Sequence, residues 1–138
     1  MIGTKEIMIG DLVYNSNHEV CKVYSISNIF ESKIYLDNLQ KDDGCFEVAC
    51  EVEPIPITPE ILKKNGFELK PDGWIWCQES SIEDKNYIFI QFRKGCDEVR
   101  LVELNFVNKV LAKHEQMHYV HELQHSLRFC RIKKEIIV

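Results

Sequence analysis

Pro54-Ile55-Pro56-Ile57-Thr58-Pro59-Glu60 is the stretch on which the reading of this chain turns. Its prolines remove backbone donors and force extended backbone, so the stretch should stop sheet pairing and part the N-terminal segment from the C-terminal one. Thr58 is a good N-cap, Pro59 fits the first helical position, and Glu60 lies near the positive end of the helix dipole. These residues predict a short helix ending at Asn65, because Gly66 suits a left-handed C-terminal stop.

Working toward the N-terminus, the pattern is strands and turns. Ile9 to Tyr14 enters a strand, Asn15-Ser16-Asn17 turns, and Val20 to Ile26 is rich in β-branched residues. Ile34-Tyr35-Leu36 is a third strand, Lys41-Asp42-Asp43-Gly44 a turn, and Cys45 to Val52 a fourth strand. Four short strands closed by small turns predict a curled antiparallel sheet of the SH3-like kind.

Toward the C-terminus, Pro71-Asp72-Gly73 turns into Trp74-Ile75-Trp76, Asp84-Lys85-Asn86 turns into Tyr87 to Arg93, and Lys94-Gly95 turns into Val99 to Leu104. The expectation is a meander of about three strands. Ile88, Ile90 and Phe92 share one of its faces, and Tyr87, Phe89 and Gln91 the other. Trp74 and Trp76 point to one side, as core cover or as a binding shelf.

The chain has 138 residues, 45% of them hydrophobic and 28% charged, with a formal charge of -5. That composition excludes disorder, coiled coil and collagen, and the length supports one core or two small ones. Charges interrupt every apolar run before it reaches membrane-spanning length, and Met1 to Gly10 shows no apolar signal core, so the expectation is a soluble, cytoplasmic protein without membrane contact. Residues 1–56 hold four lysines and ten acids, net -6, while residues 57–138 hold thirteen Lys and Arg and twelve acids, net +1. An acidic front half disfavours nucleic acid and anionic membrane, and leaves a basic protein partner or a solvated acidic face. The six cysteines, at 21, 45, 50, 77, 96 and 130, read as free thiols. Cys45 and Cys50 are an odd offset apart in a strand and cannot share a metal without a bulge. Cys96 and Cys130 lack the setting of a thiol nucleophile.

The last long element, Tyr119 to Cys130, reads as an amphipathic helix. Val120, Leu123, Leu127 and Cys130 gather on one side, and His121, Gln124, His125 and Arg128 form an opposing polar stripe. His121-Glu122-Leu123-Gln124-His125 matches the His-Glu-x-x-His pattern of zinc metallopeptidases, in which two histidines one turn apart chelate zinc and the glutamate acts as general base. The third ligand is missing where that pattern would extend, because its positions hold Arg128 and Arg131. Glu135 is the sole acid after His125, and His114 or His118 would complete a site only if the chain before Tyr119 turned back.

Three blocks carry a resemblance: Ile9-Gly10-Asp11-Leu12-Val13-Tyr14; Pro54 to Leu62 with Asn65-Gly66-Phe67; and Tyr119-Val120-His121 with Leu123-Gln124. Together they resemble a group of small uncharacterised proteins of gut bacteria and their phages or mobile elements. The resemblance implies a soluble accessory protein of a mobile element and carries over no activity, cofactor or catalytic residue.

The fold expected is therefore α+β: an SH3-like all-β part over residues 1–56, then helix, β-meander and C-terminal amphipathic helix over residues 57–138, packed as one compact body. The leading function is a non-enzymatic accessory or binding module acting through a protein partner. Its contact surface would be the stripe of His121, Gln124, His125 and Arg128 or the acidic face of the first sheet. A small zinc hydrolase, with His121 and His125 as ligands and Glu122 as base, is the alternative. A phage structural component forming a homo-oligomer is the third.

Overall fold

The computed structural model describes the chain except for residues 71–72, 80–84, 93–98, 106–108 and 130–132. The expected turns at Pro71-Asp72, Asp84 and Lys94-Gly95, together with Cys96, Cys130 and Arg131, lie outside the described residues. The architecture is α+β, and the described residues form two five-stranded antiparallel sheets and two helices. The chain divides into two units.

The first unit comprises residues 1–56 and 119–121 with Val138. Its strands are β1 (Leu12–Tyr14), β2 (Val20–Ser27), β3 (Lys33–Asn38), β4 (Phe46–Ala49) and β5 (Glu53–Pro54), in the spatial order β4-β3-β2-β1-β5. Alternation explains the sheet: Ile34, Leu36 and Asn38 of β3 are buried, while Tyr35 and Asp37 between them face outward and are half-buried. The inward residues form a core of Ile2, Ile7, Val13, Cys21, Val23, Ile34, Leu36 and Val52, with Ile26 and Ala49 packed against it. At roughly 25 cal/mol per Å² of apolar surface removed from water, each of the larger of these contributes about 2 kcal/mol.

Two details differ from the expectation. The first strand begins at Leu12 because Gly10 takes φ +93 in a turn, with the Asp11 carboxylate accepting the Met8 N–H at 2.7 Å. The prolines do not stop pairing. Pro54 lies opposite Val13 in β5, and Pro56 forms a bridge with Tyr119. The two-residue β5 is an edge strand, where a missing N–H leaves no inner ladder position unfilled.

The second unit comprises residues 57–118 and 122–137. Helix α1 (Pro59–Lys64) has Thr58 as N-cap, its Oγ1 accepting the Ile61 N–H at 3.3 Å, with Pro59 in the first turn and Gly66 at φ +82 beyond the C-cap Asn65. The sheet runs β6 (Glu68–Lys70), β7 (Gly73–Glu79), β8 (Lys85–Phe92), β9 (Val99–Asn105) and β10 (Lys109–Met117) as a continuous meander. Five strands replace the expected three. The unforeseen β10 is polar through Lys113-His114-Glu115-Gln116 and pairs with β9 through two register shifts, which breaks the alternation that marks a strand in sequence. Trp74 is buried, as core cover requires, whereas the Trp76 side chain lies outside the described set.

Helix α2 (Val120–Phe129) follows β10. Its first residues return to the first unit, where the Val120 N–H donates to the Ile55 carbonyl at 2.8 Å. Val120, Leu123 and Leu127 are buried, which accounts for the helical spacing of its apolar residues.

Candidate functional site

The surface of the first sheet that turns away from its core carries the features most suited to contact. A β-bulge falls between Val23 and Ser25, so two residues of β2, Tyr24 and Ser25, stand against Tyr35 of β3. The extra residue points Tyr24 outward, where its ring stacks on Phe46 of β4 with centroids 4.3 Å apart and planes at 23°. Such a pair adds about 1 kcal/mol beyond its buried area. Its rings nonetheless stay largely in water: Tyr24 is 57% exposed, Phe46 49% and neighbouring Val48 57%. Register places Asp37 opposite Phe46, and Tyr35 opposite Val48.

A polar network closes one end of the same sheet. Asn15 Nδ2 donates to Glu19 Oε2 and to Glu47 Oε2, both at 2.8 Å. Asn38 Nδ2 donates to Glu19 Oε2 at 2.8 Å and to Glu47 Oε1 at 3.1 Å. Each asparagine also accepts through Oδ1, Asn15 from the N–H groups of Asn17 and Glu19, and Asn38 from that of Gln40. Lys41 Nζ lies 3.3 Å from Glu19 and 3.5 Å from Glu47.

Two carboxylates this close would ordinarily push one proton affinity up. Here both go down: the Asn15 amide and then Lys41 and Asn38 hold Glu19 below its ordinary value against the opposing effect of burial, and the Asn38 and Asn15 amides do the same for Glu47. Lys41 is raised, chiefly by its hydrogen bond to Glu19. Neither carboxyl is therefore poised as a general acid, and the arrangement ties the β1–β2 turn to the start of the β3–β4 connection.

Cys21 lies in the core of this unit, its thiol pushed up to about 11 by burial and then by the negative charges of Glu47 and Glu19. Cys21, Cys45 and Cys50 are all free thiols, the latter two exposed on either side of β4. Iodoacetamide at about pH 8 should therefore modify Cys45 and Cys50 in the folded protein and leave Cys21 intact until urea is added, as read by peptide mass spectrometry. Modification of Cys21 at the rate of Cys45 without denaturant would contradict its burial.

His121, Glu122, Gln124, His125 and Arg128 all lie on α2, but they do not share one environment. His121 is 4% exposed, its ring stacked on Tyr119 with centroids 5.9 Å apart and its Nδ1 enclosed by protein. Glu122 Oε2 accepts the His118 N–H at 2.7 Å, so its charge serves the N-terminus of the helix. Gln124 and His125 are half-buried and Arg128 is exposed. The expected polar stripe thus splits, with His121 withdrawn from solvent and Arg128 left at the surface. His114 lies on β10, and Glu135 is exposed near the C-terminus. Among the described residues no group of three or more His, Cys, Asp or Glu side chains is placed to hold a metal ion.

Tyr24, Phe46 and the asparagine pair do not stand out in the sequence. The only available signal for the aromatic pair is Phe46 and Val48 at alternate positions, on the strand face opposite Glu47. Among the described residues no helix is long and apolar enough to cross a membrane. Comparison with protein-family models, with curated proteins and with solved structures finds no match for the chain.

Proposed function

We propose that the chain is a non-enzymatic binding module that acts through a protein partner and meets it with the outward face of β2, β3 and β4. The observation that carries this reading is the Tyr24–Phe46 stack, half in water beside exposed Val48. Grouped apolar surface of this kind on a folded unit marks an interaction site more often than an isolated exposed residue does. The strand order, a four-strand meander with β5 laid on the far side of β1, supports an SH3-like curl for this unit. The resemblance to small proteins of phages and mobile elements makes an accessory role in such an element part of the same proposal.

Photocrosslinking tests it. The full chain carrying p-benzoylphenylalanine at position 24 should give a discrete crosslinked protein in its own host, and the same probe at position 128 on α2 should not. Equal crosslinking at both positions, or none at 24, rejects the assignment of this face.

A zinc hydrolase built on His121, Glu122 and His125 is the competing reading, favoured by the helical spacing of the two histidines on α2. Against it stands the use of Glu122, whose carboxylate already holds the backbone of His118. Near-stoichiometric zinc in protein purified without a histidine tag, lost in His125→Ala, would transfer the assignment to the hydrolase.

A further inference from the structure

From the geometry of β4 we infer that the proposed face takes a cationic, extended peptide segment of the partner, added as a sixth strand along β4, with an arginine or lysine seated against the Tyr24–Phe46 stack. The inference rests on the binding-module reading and names the chemistry of its partner.

Three observations lead there. First, β4 ends the sheet order, so one side of its backbone has no strand partner within the first sheet. Edge strands are commonly blunted by lysine, proline, shortness or an inward-pointing charge that discourages a further strand. Phe46-Glu47-Val48-Ala49 has no lysine or proline; it is four residues long, and its one charge, Glu47, faces inward but is already engaged by Asn15, Asn38 and Lys41. An added strand would pair with the backbone groups on the side of β4 that has no neighbour in the first sheet.

Second, the outward side chains along that edge form a receptor for an alternating sequence. Phe46 and Val48 are two residues apart on one face, and Tyr24 reaches over to stack on Phe46. The π-faces of such a pair attract a guanidinium or ammonium group, and the Asp37 carboxylate stands beside them, between Phe46 on β4 and Lys22 on β2.

Third, charge selects the occupant. Exposed Asp42 and Asp43 precede β4 and exposed Glu51 comes after it, in a segment of residues 1–56 whose net charge is -6. Of its four lysines, Lys41 is bound to Glu19 and Glu47, Lys22 lies opposite Asp37 on the side away from β4, Lys33 is exposed at the start of β3, and Lys5 is exposed near the N-terminus. A second copy of this chain would bring a like charge of -6 against the same edge, whereas a basic segment is drawn to it.

The test uses the full chain and three fluorescently labelled synthetic peptides: alternating arginine and valine, alternating glutamate and valine, and the arginine peptide with prolines in place of valines. Anisotropy at about 50 mM salt should show the first binding at least about tenfold more tightly than the other two, and binding should weaken at about 300 mM salt. Tyr24→Ala, Phe46→Ala and Val48→Arg alter exposed positions; with circular dichroism unchanged, each should weaken the arginine peptide about tenfold.

Equal binding of the proline peptide would mean bulk charge attraction and overturn strand addition. Indifference to all three variants would overturn the location. A dimer in sedimentation that Val48→Arg abolishes would assign the edge to a second copy and also overturn the inference. If the peptides fail to bind while the crosslink from position 24 persists, only the partner's chemistry is wrong; if the crosslink is also absent, the binding-module reading falls with it.

Discussion

Replacing Asn38 by aspartate is expected to lower the unfolding free energy at neutral pH by about 3 kcal/mol, read as a fall in the urea midpoint at unchanged slope. Asn38 is 2% exposed, and its amide donates to both Glu19 and Glu47. Aspartate keeps the shape and the Oδ1 acceptor for Gln40, so the loss reports charge and the missing donor, not a cavity. The pH dependence should also change sign. In the native chain Glu19 and Glu47 lie below their ordinary 4.5, so their contribution is present above that value and is lost as pH falls through the depressed ones. In the variant, the new carboxyl faces two carboxylates and its folded proton affinity rises. The variant should therefore regain stability between about pH 7 and 5. A midpoint equal to the native one, or a further loss over that interval, would contradict the network.

Asn65→Ala should cost about 2 kcal/mol and, more tellingly, release the chain end. Asn65 is 6% exposed, and its side chain does two things at once. Nδ2 donates to the Ile61 carbonyl at 2.7 Å, closing α1, and also to the Ile137 carbonyl at 2.7 Å. Oδ1 accepts the Ile137 N–H at 2.8 Å, so one amide side chain pairs with both backbone groups of a residue 72 positions away. Ile136, beside it, is buried. The Ile137 amide should exchange with solvent slowly in the native protein and at nearly the rate of an unstructured peptide in the variant. Retained protection of Ile137 would mean that packing of Ile136 holds the end without Asn65.

These two asparagines show where reading the sequence succeeds and where it stops. Thr58, Pro59 and Gly66 can be assigned their roles because capping is local: the N-cap bond spans three residues and the left-handed stop belongs to one. The strands around Ile34 and Leu36 are legible because a half-buried sheet imprints period two. Asn38 and Asn65 carry no such mark, since their partners lie up to 19 and 72 positions away and depend on how the strands and the chain end are laid together. The Tyr24–Phe46 pair is hidden for the same reason, compounded by a bulge that no residue pattern announces. Helical phase alone puts His121 in a polar stripe, and phase does not say what surrounds a helix. The α+β class needs only local periodicities, which is why it is within reach.

The bulge in β2 makes one residue of that strand an insertion the ladder does not require. Deleting an amino acid from a regular strand inverts the facing of everything beyond it, exchanging core for solvent. Without Tyr24, however, Val23, Ser25 and Ile26 would succeed one another opposite Leu36, Tyr35 and Ile34, each still on its present side. The facing of the core residues is thus independent of this position, and dropping the codon would forfeit the Tyr24–Phe46 stack without exchanging core for solvent.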